Sequence, residues 1–543
     1  MKNRLIAKIF YNIADLLDLQ GVSFKPRAYR RAALSIESLS EDIESIKDLK
    51  SILGVGRHLE KKIIEIIKTG RLTYYERLKK QTPIDIESLN NIPGLGPKRI
   101  QLLYKKYKVR NIQDLKKVIR QHKIKELIGE KTEKNLEESI DFARKKTKGF
   151  LLGFIWEDAL KIKHNLEKQN FILKAEITGS FRRRKEIVND LDILVASNQP
   201  SKVMDFFTKD SKKILAKGMT KSSIILENDL QIDLRVIKEE SFGAALQYFT
   251  GSKLHNIHLR KIAIKKGCRL SEYGLFKNNK LIASKTEKEI YNKLSLPYIE
   301  PELREDRGEF EKQPSLIRLE DIKGDLHIHT NYSDGEDSIK EMVEKARFLK
   351  YKYIGITDHF GSLKIANSMD IKRFNNQKKE INKLNFNIFH GIEANIKANG
   401  SIDALNNLDV DYMIGSIHAG FSNDKEKQTK RILLAMDNEK VKILGHLTGR
   451  LLNKRRGYDL DFDKIFDKAY SNNVVVEVNS FPDRVDLDDS LIKKAIEHKV
   501  RLAINTDAHS QDNMNFMRFG IFQARRGWCE KKNVINTLNK LKF

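Results

Sequence analysis

Cysteine is almost missing: Cys268 and Cys529 are the only two in 543 residues, far apart and in no ligand-spaced pair. That excludes a disulfide framework and a cysteine zinc site, and makes a reducing cytoplasm the expected compartment. Long apolar runs are missing too. None approaches the roughly 20 residues that cross a bilayer, and the opening stretch MKNRLIAKIFYNIADLL carries polar and acidic breaks with no small-residue cleavage site, which argues against a signal peptide. Proline is scarce at nine, yet Pro297, Pro301 and Pro314 cluster within residues 297–314. Positive charge is what the chain has in excess. Lys+Arg 102 against Asp+Glu 74 gives +28, a balance that favours a polyanion, either nucleic acid or an anionic membrane surface, unless the lysines are merely solvated. At 40% hydrophobic, the chain can build ordinary cores, and its length predicts three or four domains.

Residues 1–145 read as short helices interrupted by two turns of the same chemistry, Leu53-Gly54-Val55-Gly56 and Ile92-Pro93-Gly94-Leu95-Gly96. Each precedes a basic helix, with Arg57, Lys61 and Lys62 after the first and Lys98 and Arg99 after the second. Glycine lets backbone N–H groups approach an anion, and a helix N-terminus adds a favourable field for phosphate. Gly54, Gly56, Gly94, Gly96 and Lys98 are therefore candidate contacts to a DNA backbone, without sequence readout. A third stretch, Leu127 to Lys131, lacks the first glycine and reads as packing.

From about residue 146 helices alternate with strands, at Ala175–Thr178, Asp190–Val195 and Leu230–Ile237. Asp190 and Asp192 lie two apart on a strand, so both carboxylates face one side. Asp233, on another strand, completes a set able to hold two Mg²⁺ ions for nucleotidyl transfer. Gly179 and Ser180 can cradle a triphosphate and Arg183 can neutralise it.

Residues 1 to about 296 resemble a family X DNA polymerase, the group containing polymerase beta. The resemblance rests on Ala28-Tyr-Arg-Arg31, Gly54-Val-Gly56, Pro93-Gly-Leu-Gly96, Gly179-Ser-Phe-Arg-Arg183, Asp190-Leu-Asp192, Ile232-Asp-Leu-Arg235 and Tyr248-Phe-Thr-Gly-Ser252. It implies that Asp190, Asp192 and Asp233 bind the metals, with Asp233 nearest the primer hydroxyl. It places Gly179, Ser180, Arg183, Tyr248, Phe249, Gly251 and Asn256 at the nucleotide and Arg260 at the template; from the residues alone, Tyr248 and Phe249 read as core aromatics. It also aligns Lys62 with the family's deoxyribose-phosphate lyase lysine, and Lys25 and Tyr29 with its phosphate partners. A lysine on a basic helix serves as easily as a phosphate ligand, and a nucleophilic one needs a lowered pKa.

Beyond residue 321 short apolar runs end in polar residues seven times, separated mostly by amphipathic stretches such as Ile339–Leu349. Strand, loop and helix in repetition predict parallel β/α units, and seven units predict a barrel with its reactive groups on the loops after the strands. Asp325-Leu-His-Ile-His329, Ser333-Asp-Gly335, Thr357-Asp-His359 and Thr506-Asp-Ala-His509 resemble the PHP (polymerase and histidinol phosphatase) family. That resemblance implies nine ligands, His327, His329, Asp334, His359, Glu393, His418, His446, Asp507 and His509, for up to three Zn²⁺ or Mn²⁺ ions. Asp325, Asp358 and Glu477 are expected behind them, and His390 and His498 are expected to be structural.

The expected chain is multidomain: an all-α helix-hairpin-helix region with DNA-binding and lyase-like character (1–145), an α+β nucleotidyltransferase core (146–296), a linker (297–321) and a distorted (β/α)7 PHP barrel (322–543). The expected function is gap filling in base excision repair, with 3′–5′ exonuclease and lyase or abasic-site cutting as further activities. Expected partners are gapped or nicked duplex DNA and dNTPs, with no membrane and no second subunit. Rival readings are a nuclease using a polymerase-like module mainly to bind DNA, and a small-molecule phosphatase.

Overall fold

The computed structural model describes the chain except residues 1, 23, 38–42, 44, 45, 47, 53, 91–94, 96, 122, 130–132, 134–148, 364, 365 and 406. Its N-terminal part is helical. Helix α1 (Lys2–Leu19) buries Ile6, Phe10, Ile13 and Leu17, spaced by four and three residues so that they share one face. They pack with Tyr29, Ala33 and Ile36 of α2 (Lys25–Glu37) and with Ile63 and Ile66 of α3 (Arg57–Thr69). Gly94 and Gly96 fall outside the described residues, as does the side chain of Lys98.

The next part is built on a five-stranded sheet. Its strands are β1 (Lys174–Ile177), β2 (Asp190–Ala196), β3 (Lys213–Lys217), β4 (Lys221–Ile225) and β5 (Gln231–Ile237), in the order β1-β2-β5-β4-β3. Only β2 and β5 run parallel. Leu191, Ile193 and Val195 alternate into the core, which turns Asp190 and Asp192 to the other face. Two helices, α4 (Phe242–Thr250) and α5 (Lys253–Lys265), lead to a three-stranded sheet and to α6 (Glu287–Lys293).

Residues 297–321, expected to form a linker, are instead packed in place. Pro301, Glu302 and Leu303 are buried, Arg304 is fully buried, and Ile299 and Leu303 belong to the core of the α5–α6 region. Pro301 opens a short 3-10 helix, Pro301–Leu303, so proline here does not free the chain. The two catalytic halves also share a broad contact. The Arg184 guanidinium lies 4.6 Å from the Trp156 ring and 4.7 Å from that of Phe522, and Arg450 pairs with Glu186 at 2.6 Å. Phe519 joins the core of the five-stranded sheet.

The C-terminal part has parallel strands, as expected, but they do not form a closed barrel among the described residues. Strands β6 (Gly324–Ile328), β7 (Tyr353–Ile356) and β9 (Ile388–His390) make one three-stranded sheet. Strands β8 (His359–Phe360), β10 (Ile392–Asn395), β11 (Met413–Ser416), β12 (Val441–Leu444), β13 (Val475–Asn479) and β14 (Leu502–Asn505) make a six-stranded one. The ladder breaks at Thr357-Asp358 and at Gly391, where the chain steps sideways between sheets. Only the single bridge Ile328↔Ala508 links the far edges.

Candidate active sites

Asp192 stands directly opposite Asp233 in the parallel β2–β5 register, and Asp190 precedes it on the same face. The chain just before α7 (Gly179–Arg182) closes over them. Gly179 has φ +60°, and a Cβ there would lie 2.2 Å from Asp192 Oδ2, so this close approach requires glycine. Gln231 Nε2 donates to Asp233 at 3.0 Å, and Lys221 Nζ stays 4.0 Å away. Burial, then the Asp190 and Asp233 charges, push Asp192 up to about 7; burial and Asp233 raise Asp190 as well. Three oxygen donors so short of positive charge suit hard divalent cations.

A carboxyl pushed up on folding is stabilised as the acid. Between its unfolded value and about 7 the native state holds a proton that the unfolded chain has released, so stability falls as pH rises and the full penalty stands above pH 7. Asp192→Asn should therefore stabilise the cation-free protein at pH 8 by on the order of 2 kcal/mol, with the gain vanishing near pH 4. Melting curves in EDTA at both pH values check this; equal melting at pH 8 would show that the carboxylates do not strain one another.

Arg183 reaches the same cleft. Its Nη1 donates to Thr250 O at 2.5 Å, its Nε pairs with Glu305 at 3.1 Å, and Gly251 leaves room beside Nη1. Ser180 is half-buried at the start of α7. Tyr248 and Phe249 meet edge to face at 5.1 Å, and Phe249 lines the cleft with Asp192 and Asp233. Asn256 Nδ2 donates to Tyr248 O at 2.7 Å, and the exposed Arg260 donates through Nε to Asn256 O at 3.3 Å. These positions form one wall. Behind it Arg182 and the fully buried Arg304 both hold Glu287, at 2.7 and 2.6 Å, and keep its carboxyl at about 2 despite burial.

In the helical part, Lys62 Nζ lies 5.9 Å from the Tyr29 ring and 4.5 Å from that of Tyr74; the two rings stack with centroids 6.4 Å apart. Burial lowers the Lys62 pKa, and Lys25 and Arg77 push the same way against Glu65. So Lys25, Tyr29 and Lys62 do gather, joined by Tyr74 and Arg77, which sequence reasoning missed. Nearby Gly54 has φ +80° with Arg31 Cγ 3.0 Å from where its Cβ would be. Gly56 caps α3 with no side-chain hydrogen bond, which leaves first-turn amides of α3 for an anion.

The C-terminal sheets bring all nine expected ligands to one end of their strands. Glu393 is the centre: its carboxylate lies 3.4 Å from His327, 3.5 Å from His329, 3.2 Å from His359, 3.2 Å from His418 and 2.9 Å from His446. Asp507 is 3.3 Å from His329, and Asp334 is 3.4 Å from His509 and 3.7 Å from His359. Ligands about 2.1 Å from one tetrahedral ion sit about 3.4 Å apart, so these spacings fit shared ions. Orphaned nitrogens say the same: His327 Nε2, both ring nitrogens of His329, His418 Nδ1 and His446 Nδ1 are buried without hydrogen-bond partners. His446 and Asp507 hold their ligand positions at φ +27° and +55°, where non-glycine residues are strained.

A second layer fixes the first. His327 Nδ1 bonds Glu477 at 2.7 Å, which turns Nε2 to the cluster. Asp358 accepts from Thr330 Oγ1, Ser333 Oγ and Gln377 Nε2, and Asp325 accepts from Thr506 Oγ1 at 2.5 Å. His390 bonds Gln377 and stacks on Phe374, and His498 pairs with Asp463 and Asp467. Neither joins the cluster. Arg484, which the sequence did not single out, has Nε 3.4 Å from Asp507. Burial opposes its charge, yet Asp507 and other carboxylates, Glu393 among them, raise its pKa.

Family models match four stretches of the chain: a helix-hairpin-helix domain at residues 1–72, a SAM-like helix-hairpin-helix tandem at 86–140, a DNA polymerase beta thumb at 245–305 and a PHP domain at 325–481. The thumb match runs past the expected boundary at 296. Among curated proteins, the chain is 37% identical to the DNA polymerase/3′-5′ exonuclease PolX of Bacillus subtilis (strain 168), over 99% of this chain and 97% of that one. It is 24% identical to DNA polymerase lambda of Rattus norvegicus over 54% of each chain. The DNA polymerase lambda of Arabidopsis thaliana is 25% identical over 56% of this chain and 62% of its own.

Proposed function

Because the chain belongs to the family X DNA polymerases that carry a PHP domain, we propose that it extends primers across short gaps in base excision repair and trims 3′ ends with its C-terminal half. The observation that carries this reading is the presence of two separate donor clusters, three carboxylates in one half and nine candidate ligands, eight of them in possible metal-holding groups and His446 beside Glu393, in the other.

At the first centre, Asp190, Asp192 and Asp233 would hold two Mg²⁺ ions, which would supply positive charge toward the primer hydroxyl and the departing pyrophosphate. Ser180 and Arg183 hold the triphosphate, and Gly179 keeps the backbone clear of it. Tyr248, Phe249, Gly251 and Asn256 bear on the sugar and minor-groove edge, Arg260 on the template. At the second, His327, His329, Asp334, His359, Glu393, His418, His446, Asp507 and His509 would hold up to three Zn²⁺ or Mn²⁺ ions, which would supply Lewis acidity toward a phosphodiester and a more acidic water. Glu477 keeps the His327 proton on Nδ1, and Asp358 fixes the loop that carries Asp334. Lys25, Tyr29, Lys62, Gly54 and Gly56 bind the 5′-phosphate side of the gap, with Gly94, Gly96 and Lys98 as the second backbone contact. The protein acts as a monomer in the cytoplasm.

One gel tests the reading. Pure protein is incubated with a 5′-labelled gapped duplex, with and without dNTPs. Lengthening with dNTPs and shortening without them are expected; failure to lengthen in Mg²⁺ overturns the polymerase assignment.

Lys62 offers a further check, since burial beside Tyr29 and Tyr74 makes it a better nucleophile than a solvated lysine. On a gap bearing a 5′-deoxyribose phosphate, borohydride should trap a covalent adduct that Lys62→Ala abolishes. Extension on a clean gap at saturating DNA should change by no more than about twofold, because Lys62 touches the gap's 5′ side and stands outside the transferase centre. No adduct with the parent protein would leave Lys62 as a phosphate ligand only.

A further inference from the structure

The triphosphate arginine is not held by its own half of the molecule alone. Its Nε pairs with Glu305 at 3.1 Å and its Nη1 donates to Thr250 O at 2.5 Å. These contacts engage Nε and Nη1 and leave Nη2 for a ligand. Glu305 is itself gripped from the other half. Arg526, at the end of the helix Met517–Arg526, reaches Glu305 Oε1 at 3.2 Å through Nη1 and donates from the same nitrogen to Arg183 O at 2.8 Å. Its Nη2 bonds Asp489 at 2.5 Å, and Asp489 also receives Arg307 at 2.9 Å. Arg183, Glu305 and Arg526 are each largely buried, at 13%, 13% and 6% side-chain exposure. Water therefore screens this chain of charges weakly.

We propose that Arg526 of the PHP half is a positioning residue for nucleotide binding in the polymerase half, acting through Glu305 to fix the guanidinium of Arg183. Glu305 by itself would cancel the positive charge that a triphosphate needs. With Arg526 opposite, and Lys185 3.7 Å away, Glu305 serves as a hinge pin and the cluster keeps a net positive charge. A planar guanidinium held at both Nε and Nη1 presents Nη2 in a fixed direction, which spares a triphosphate the cost of ordering it.

The inference rests on Arg183 being the triphosphate contact, and a double-mutant cycle separates the two. Single-nucleotide insertion is measured for Arg183→Ala, Arg526→Ala and the pair. Arg526→Ala is expected to raise the KM for dNTP about tenfold while kcat changes less, the signature of lost ground-state binding. Trimming of a 3′ end should be unaffected, since Arg526 touches none of the nine ligands. The pair should be no worse than Arg183→Ala, because Arg526 acts only through it. Additive effects, or an unchanged KM in Arg526→Ala, overturn the inference and leave the triphosphate reading standing. An unchanged KM in Arg183→Ala overturns that reading itself. If Arg526→Ala melts early, Glu305→Gln runs the same cycle with the interface arginine in place: the amide oxygen still accepts from Nε, so a small rise in KM is expected, and none at all counts against the proposal.

Discussion

Asp192→Ala is expected to lower primer extension by about 10³-fold or more, because little besides metal-held charge stabilises the transferring phosphoryl group. Asp192 is the middle carboxylate of the three, packed against Gly179 and facing Asp233, so no neighbouring side chain can replace it. Its loss should not unfold the protein; removing a carboxyl strained by like charges favours the native state. Shortening of a 5′-labelled primer without dNTPs should continue at the parent rate. Rates of lengthening and shortening on one gapped substrate, with a melting curve, decide the matter. If Asp192→Ala stopped shortening as well, with folding intact, the degradation would belong to the polymerase centre, as pyrophosphorolysis or editing. Hydrolysis would then have to be removed from the PHP half.

The converse experiment strips the other centre. His327→Ala with His329→Ala removes two imidazoles that face both Glu393 and Asp507. Bound Zn²⁺ or Mn²⁺, counted by elemental analysis, and 3′-end shortening should fall together by about 100-fold or more. Synthesis with Mg²⁺ should persist. Stability is the confounding variable: a cluster that loses its ions and two imidazoles leaves its buried carboxylates to Arg484 and the remaining histidines. Since the halves share the Arg184 sandwich and the Arg450–Glu186 pair, a melted PHP half would weaken the polymerase as well. Synthesis lost at a temperature where the double variant remains folded would contradict two separable chemistries.

The sequence was most readable where function follows backbone period. Asp190 and Asp192 had to share a face because strands alternate, and the structure puts Asp233 opposite them. Ligands at the ends of apolar runs were readable because parallel β/α units expose those ends. What could not be read were pairings between distant stretches. Glu305 and Arg526 stand 221 positions apart and meet through side chains, which leave no local pattern. Residues 297–321 looked like a tether because proline and charge cluster there, yet burial of Arg304 against Glu287 makes that charge part of a core. The seven-strand count misled in a different way. Seven apolar runs predict closure, but Thr357-Asp358 and Gly391 shift the chain between two sheets, and apolar periodicity does not register so short a sideways step.

The guanidinium of Arg184, lodged between an indole from one half and a phenyl ring from the other, bears on how such a gene can be divided. Separating the two halves would wet both aromatic faces, strand Glu186 without Arg450, and leave each with an adhesive flank. Either half made alone would need polar residues on that flank to stay dispersed.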